Sequence, residues 1–349
     1  MTDPTPPLTD KPSRISTMKD VAERAGVSVA TVSLVINDSK NARIGAKTRQ
    51  RVHDAVDALG YRPNALAQSL ANNQSRFIGM VADAIATLPF AGEILRGAQD
   101  EAWKNGYVLL VANTDDIPER TKDAISMMND HQAVGVLYST WYHRQVEPVK
   151  DLERTPAVYV NCYSDSPRDY SIVPDEFQGG ALATRMLLEH GHRRVAFINS
   201  TEDAPSTVGR EKGYRSALAD AGIPCDDSLV HRIFPDAVGG FQEAGYSIAG
   251  ELLDRDKPPT AVFCYNDRVA MGLYEAAKER GLRIPEDIAI IGFDDQEVIA
   301  AHLRPGLTSI ALPHHEIGVR AVRALLSRID GGGGGIEYVP CPAVIRYSI

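Results

Sequence analysis

Three stretches of this 349-residue chain place polar side chains where a hydroxylated ligand could be held. Asn266-Asp267 follows the apolar run 261–265, and Asp294-Asp295 follows Ile290-Ile291-Gly292-Phe293. Arg210 opens Arg-Glu-Lys-Gly-Tyr after a loop containing Ser206 and Thr207. Amide, carboxylate and guanidinium are planar groups that can each hold two neighbouring hydroxyls, which is the chemistry of sugar recognition. The competing roles are structural: Asp267 as a helix cap, and Asp294 as an acceptor for backbone N–H groups in its own turn. Two carboxylates would also suit acid–base work, but no nucleophile accompanies them. The sequence has no G-x-G-x-x-G after a first strand, no Walker loop and no G-x-S-x-G elbow. His190-x-His192 lies where a helix end turns into a strand, with no third ligand nearby, so no metal site is expected. These residues read as a binder without a cofactor, not as an enzyme.

Alternating elements must carry those loops. From Arg76 onward, short β-branched runs at 77–81, 107–112, 134–138 and 156–160 alternate with helical stretches at 90–105 and 120–130. A second series follows: helix 179–190, strand 195–199, helix 210–221, strand 261–265, helix 267–280 and strand 288–292. Such alternation implies doubly wound parallel sheets with right-handed crossovers. About 270 residues is generous for one sheet of this kind, so two similar subdomains facing each other are expected. Ligands of open α/β folds sit beyond the carboxyl ends of the strands, where the three polar stretches fall.

The first 75 residues follow a different rule. Thr17 can cap a helix whose Met18, Val21, Ala22 and Ala25 share one face, and Gly26 breaks it. Ser28 caps a second helix with Val32 and Val35 pointing back at the first, leaving Val29, Ala30 and Leu34 outward with Ser33 beside them. This is the helix-turn-helix arrangement for reading a major groove. Lys47-Thr48-Arg49 opens a third helix with Val52, Ala55, Val56 and Leu59 at helical spacing, ended by Gly60. Pro63 then interrupts the chain, and a short alanine-rich helix restarts after Asn64.

The ordered run D-V-A-x-x-A-G-V-S-x-x-T-V-S-x-V-I-N, the K-T-R helix and Y-x-P-N-x-x-A-x-x-L together resemble the LacI/GalR family of bacterial transcription regulators. The body resembles the periplasmic sugar-binding proteins, whose fold forms the effector-binding core of that family. The resemblance implies a tail at 1–15, a headpiece at 16–62, a hinge helix at 63–75 and a core at 76–349. It divides the core into an N-subdomain at about 76–173 and 306–330, and a C-subdomain at about 174–305 and 336–349. Family motifs carry effector contacts onto Arg210 (R-x-x-G), Asn266 (N-D) and Asp294 (G-F-D), with Ser206 alongside. Asn161 fits where relatives place an acidic residue, and Phe90 falls in the first cleft loop. Pro235 stands where an aromatic is usual.

On DNA, the resemblance places Thr17, Ser28, Val29, Ala30, Thr31, Ser33, Leu34, Asn37 and Arg49 at a pseudo-palindromic operator. Thr31, Asn37 and Arg49 would supply backbone register. The hinge adds Asn64, Ala67, Leu70 and Ala71, with Leu70 wedging into the minor groove. The implied function is a repressor whose operator affinity answers to a small effector, a sugar by preference, acting as a cytoplasmic, nucleoid-associated homodimer. The alternative is a periplasmic-type sugar-binding protein with no regulatory role.

Charge distribution favours the regulator. The chain carries a net −9, yet residues 13–76 hold ten Lys/Arg against five Asp/Glu, a local +5. Residues 1–12 contribute −1, leaving −13 for 77–349. A basic module on an acidic body fits phosphate contact at one end only. Four scattered cysteines without a C-x-x-C pair suggest reduced thiols. No apolar run approaches the length of a membrane span, and the Pro-rich start lacks a signal peptide's pattern. The glycine run 331–335 reads as a tolerated surface insertion.

Overall fold

A computed structural model describes residues 16–36, 44–61, 76–85, 91–234, 240–329 and 331–349. The tail, Asn37, the hinge with Asn64, Ala67, Leu70 and Ala71, and the positions Phe90 and Pro235 lie outside the described residues. The chain divides into two units, Met1–Ser75 and Arg76–Ile349.

In the first unit, helices α1 (Met18–Ala25), α2 (Val29–Ile36) and α3 (Ala46–Leu59) enclose a small core of Val21, Ala22, Ala25, Val32, Val35, Val52, Ala55 and Tyr61. Thr17 forms a reciprocal capping box with Asp20, satisfying two donors that a bare helix start leaves unpaired. Gly26 sits at φ 63°, a left-handed turn that L side chains adopt only with strain. The Ser28 hydroxyl then accepts the Thr31 N–H at 3.1 Å and starts α2.

The second unit holds two six-stranded sheets. The first has the order β11-β5-β4-β3-β1-β2, with β1 (Phe77–Ala82), β2 (Val108–Asn113), β3 (Val136–Gln145), β4 (Ala157–Tyr163), β5 (Tyr170–Pro174) and β11 (Gly335–Val339) all parallel. The second has the order β12-β10-β9-β8-β6-β7, from β6 (Val195–Ser200), β7 (Val230–Ile233), β8 (Ala261–Cys264), β9 (Ala289–Asp294), β10 (Thr308–Ala311) and β12 (Ala343–Val344), the last antiparallel to β10. Interior strands such as β6 and β8 are buried along their whole length, as expected where helices cover both faces.

Helices α4 (Gly92–Lys104), α5 (Pro118–Asp130), α6 (Glu176–Glu189), α7 (Pro205–Asp220), α8 (Gly240–Leu253), α9 (Asp267–Glu279), α10 (Glu297–Ala300) and α11 (His314–Ser327) complete the unit. Three helix pairs cross on reciprocal glycines. A Cβ at Gly97 of α4 would collide with the His315 carbonyl, and one at Gly318 of α11 with that of Ile94. Gly180 and Gly213 play the same parts for α6 and α7, and Gly245 and Gly272 for α8 and α9. The missing Cβ atoms let backbones meet directly, which fixes the seating of α7 and with it Arg210.

Two features differ from the sequence reading. Strand β10, expected with the N-subdomain, pairs with β9 in the second sheet, and β11, expected with the C-subdomain, pairs with β5 in the first. The chain crosses between sheets three times near its end and middle, and periodicity cannot say which sheet a short strand joins. The Asp175 N–H donates to Val339 O at 2.8 Å and the Cys341 N–H to Gln178 Oε1 at 2.8 Å, tying two of those crossings together. The glycine run is likewise more than an insertion. Its last member opens β11, and a Cβ at Gly334 would be driven into the backbone of Pro167 and Arg168. Among the described residues, no helix is long and apolar enough to cross a membrane.

Candidate nucleic-acid interface and effector site

The surface of α2 is apolar where a groove reader is often polar. Val29 is 44% exposed and Leu34 41% exposed, Ala30 is exposed and Ser33 half-buried. Ser28 and Thr31 also serve each other, their hydroxyls 2.9 Å apart. Thr17 is held by Asp20, and Arg49 is half-buried on α3.

In the second unit the structure gathers part of the expected site. Helix α7 begins at Pro205 and not at Arg210, because a proline is well accommodated at the first helical position. Ser206 and Thr207 therefore lie in its first turn and not in a loop, one turn before Arg210. The buried Arg210 guanidinium donates from Nε to Glu176 Oε2 at 2.8 Å, from one terminal nitrogen to Tyr265 O at 2.5 Å, and faces Asp294 Oδ1 from the other at 3.5 Å. Its Cζ lies 3.7 Å from the Phe293 ring centroid and 4.7 Å from that of Tyr265. The Ser206 and Tyr265 hydroxyls are 2.8 Å apart. Ser206, Arg210 and Asp294 thus meet around Tyr265 and Phe293.

Electrostatics separate the two carboxylates on this arginine. Burial raises Glu176, but the Arg210 charge and then His143 outweigh it and hold the carboxyl at about 2. Burial dominates at Asp294, pushing it up to about 6 against the pull of Arg210 and Gln296. Asp294 sits at φ 95° and accepts from Gln296 Nε2 at 3.2 Å.

Asp267 does not cap its helix. Asn266 does, its Oδ1 accepting from Val269 N at 3.0 Å, while the buried Asp267 carboxylate accepts from Ser309 Oγ and from Gln296 N, each at 2.6 Å. Asp267 thereby holds the turn that presents Asp294. Gly292 leaves the space for it, since a Cβ there would overlap Asp267 Oδ1. Burial, and next the charge of Asp294, push the Asp267 carboxyl well up.

Asn161 ends up apart from this group, on β4 of the other sheet. It is buried at φ 58°, its Nδ2 donates to Thr140 O at 3.0 Å, and its Oδ1 has no hydrogen-bond partner among the described residues.

Comparison with known proteins decides the family. Residues 17–64 match the bacterial regulatory proteins of the lacI family, and residues 184–349 match a periplasmic binding protein-like domain. The HTH-type transcriptional repressor PurR of Vibrio atlanticus (strain LGP32) is 35% identical over 318 residues, 90% of this chain and 92% of the relative. The chain belongs to the LacI family. It is a LacI-type DNA-binding transcriptional repressor with a periplasmic-binding-protein-like core. The lac repressor dimer bound to operator and the anti-inducer ONPF shares its fold with a TM-score of 0.77 and 27% identity, covering 96% of this chain and 99% of that one. The transcriptional regulator CelR–cellobiose complex follows at a TM-score of 0.61 and 28% identity, covering 95% and 99%.

In this LacI-family chain, sequence reasoning missed Glu176, Tyr265, Phe293, Gln296 and the supporting role of Asp267. Glu176 was detectable only as a charged residue opening a helix in Asp-Glu-Phe-Gln-Gly-Gly. Tyr265 stands directly before the N-D motif, and Phe293 is the middle residue of G-F-D.

Proposed function

We propose that this repressor holds a pseudo-palindromic operator as a homodimer and releases or tightens its grip when a small effector binds between the two core sheets. Headpiece, hinge (63–75) and core would divide the labour, with Leu70 acting at the operator centre. The effector reading rests on one observation, the convergence of Ser206, Arg210 and Asp294 on Tyr265 and Phe293 at the carboxyl ends of β8 and β9. Such a group offers a fixed acceptor, a hydroxyl and aromatic faces, a combination that suits a carbohydrate. The ligands named for the lac repressor and CelR structures, ONPF and cellobiose, favour the same class. Asn266 and Asn161 would complete the contacts, the latter with its unpartnered Oδ1.

Dimer formation is supported by the edge strand β2, which exposes Val108, Leu110 and Val111. An uncovered apolar edge invites a partner, and the related lac repressor structure is a dimer. Its place of work is the cytoplasm, at the nucleoid.

Fluorescence anisotropy with labelled operator tests the reading. Affinity should fall steeply with salt as phosphate counterions are released, and a sugar screen should yield a ligand that shifts it. By linkage, operator must shift the affinity for that ligand by the same factor. A ligand that binds the core without changing operator affinity would overturn the switch, and the absence of DNA binding would return the alternative of a plain sugar-binding protein.

A further inference from the structure

Two neighbouring non-glycine residues at the end of β9 sit in the left-handed region of the backbone, Asp294 at φ 95° and Asp295 at φ 52°. L side chains reach that region only at a cost in free energy, so such a turn persists where its surroundings over-determine it. One side of the turn is held by Asp267, which accepts from Gln296 N at 2.6 Å, and by Ser309, whose Oγ accepts from Asp295 N at 3.2 Å. The other side is held by a residue 51 positions further along the chain. Arg346 Nη1 donates to Asp295 Oδ1 at 2.6 Å and to Leu307 O at 2.8 Å.

We propose that Arg346 is a positioning residue of the effector site: through Asp295 it fixes the turn that aims the Asp294 carboxylate at Arg210. Its bearing on effector rests on the contact proposed above for Asp294, whereas the clamp on the turn does not.

The setting of Arg346 suits a clamp. Ile345 and Tyr347, on either side of it, are 72% and 75% exposed, so the segment after β12 gains little from burying them. Between them Arg346 turns inward, its stem passing Gly306, where a Cβ would stand 3.2 Å from Arg346 Cδ. The Arg346 backbone N–H donates to Thr308 Oγ1 at 2.9 Å. Ser348 Oγ donates to Ile290 O at 2.6 Å and accepts from Thr308 N at 2.8 Å. These bonds seat the segment on β9 and β10 by themselves, so the guanidinium serves the turn. Its ion pair with Asp295 is only 18% and 19% exposed, and salt screens it weakly. Charge-assisted bonds of this kind are short and strong. Without it, Asp295 relaxes toward negative φ and carries Asp294 away from Arg210 at 3.5 Å and Gln296 Nε2 at 3.2 Å.

Hydrogen exchange of the full chain, read by mass spectrometry on peptides spanning 293–297, tests the clamp without any ligand. Arg346→Met keeps a stem beside Gly306 and removes the charge. It should speed exchange of the Asp295 and Gln296 amides about tenfold, the loss of one charge-assisted hydrogen bond. One nitrogen of Arg346 makes both bonds, so the ammonium of Arg346→Lys can replace it and should restore most of the protection. Peptides from β6 and β8 should exchange as in the wild type, which separates a local clamp from a general loosening. Unchanged exchange at 293–297 in Arg346→Met, equal acceleration there in the Met and Lys variants, or equal acceleration in β6 and β8 would each overturn the proposal. The effector reading fails separately: Asp294→Asn would then respond to sugars as the wild type does, while Arg346→Met still exchanges faster at the turn.

Discussion

Arg210 Nε lies 2.8 Å from Glu176 Oε2, and both side chains are buried. The contact joins the first turn of α6 to the second turn of α7, 34 residues apart in sequence. Asp294, at 3.5 Å, is the looser partner of the same guanidinium. Glu176 thus acts as the structural anchor of Arg210, and Asp294 is the carboxylate that we propose for effector contact.

Arg210→Ala should therefore damage the fold before it tests effector binding. Removing one member of a buried ion pair strands the other charge, at a cost of about 3–5 kcal/mol. Urea denaturation of the full chain measures this directly. A loss below about 1 kcal/mol would mean that Glu176 finds another partner or solvent. Asp294→Asn is the better variant for an effector-blind repressor, since it keeps shape and removes only the charge.

That variant also has a pH signature. Asp294 stands at about 6 against an ordinary 3.8, so the folded chain holds more protons than the unfolded one between those values. Stability from this group falls as pH rises through that window, and its cost is complete above about 6. Glu176 works in the opposite sense: its contribution is complete above its ordinary 4.5 and is lost as pH falls through about 2. Of these two groups, only Asp294 changes its contribution between pH 5 and 8. Asp294→Asn should gain about 1 kcal/mol on the wild type between those two pH values. Paired melting curves at both would show it, and a constant difference would contradict a titrating Asp294.

The helix crossings predict sharp intolerance. At Gly318 an added methyl meets the Ile94 carbonyl and the Ala98 nitrogen, and neither backbone atom can rotate away. Gly318→Ala should separate α4 from α11 and cost about 1–3 kcal/mol, as overpacking of a close-packed core does. The half-buried Gly92, where nothing stands within 4 Å of a Cβ, is the matched control and should tolerate Ala. Equal denaturation midpoints for the two would refute the close-crossing argument.

Local physics made much of this molecule readable from its sequence. Capping by Thr17 and Ser28, the turn at Gly26 and the face of Val32 and Val35 are all settled within a few residues, and the structure has each of them. The buried strands announced themselves as continuous apolar runs. Sheet membership of β10 and β11 did not, because it depends on where the chain recrosses between sheets. Site residues divided in the same way. Arg210 and Asp294 stood in local motifs, but their partner Glu176 lies 34 residues from Arg210. The role of Asp267 depends on Ser309, 42 residues further along. Pro205 did signal the true start of α7 and went unused.

The base preference of α2 follows from what its outer surface lacks. Val29, Ala30 and Leu34 are exposed on the helix that a helix-turn-helix lays into the major groove, and none can donate a hydrogen bond. Arginine specifies guanine by gripping O6 and N7 together, whereas a branched apolar side chain packs on the thymine methyl. Ser28 and Thr31 are partly committed to each other, so the cap limits what they can offer a base. Half-sites should therefore favour T·A over G·C at the step facing Leu34. Each absent bidentate pair forgoes about 1–3 kcal/mol of discrimination, which shifts weight onto DNA deformability and onto the contact proposed for Leu70. Selection from a random DNA library should return T-rich contacted positions, and Leu34→Arg should move the preference at that step toward guanine. A strict guanine requirement in the wild type, lost when Leu34 is replaced by Ala, would show that the helix lies in the groove in another register.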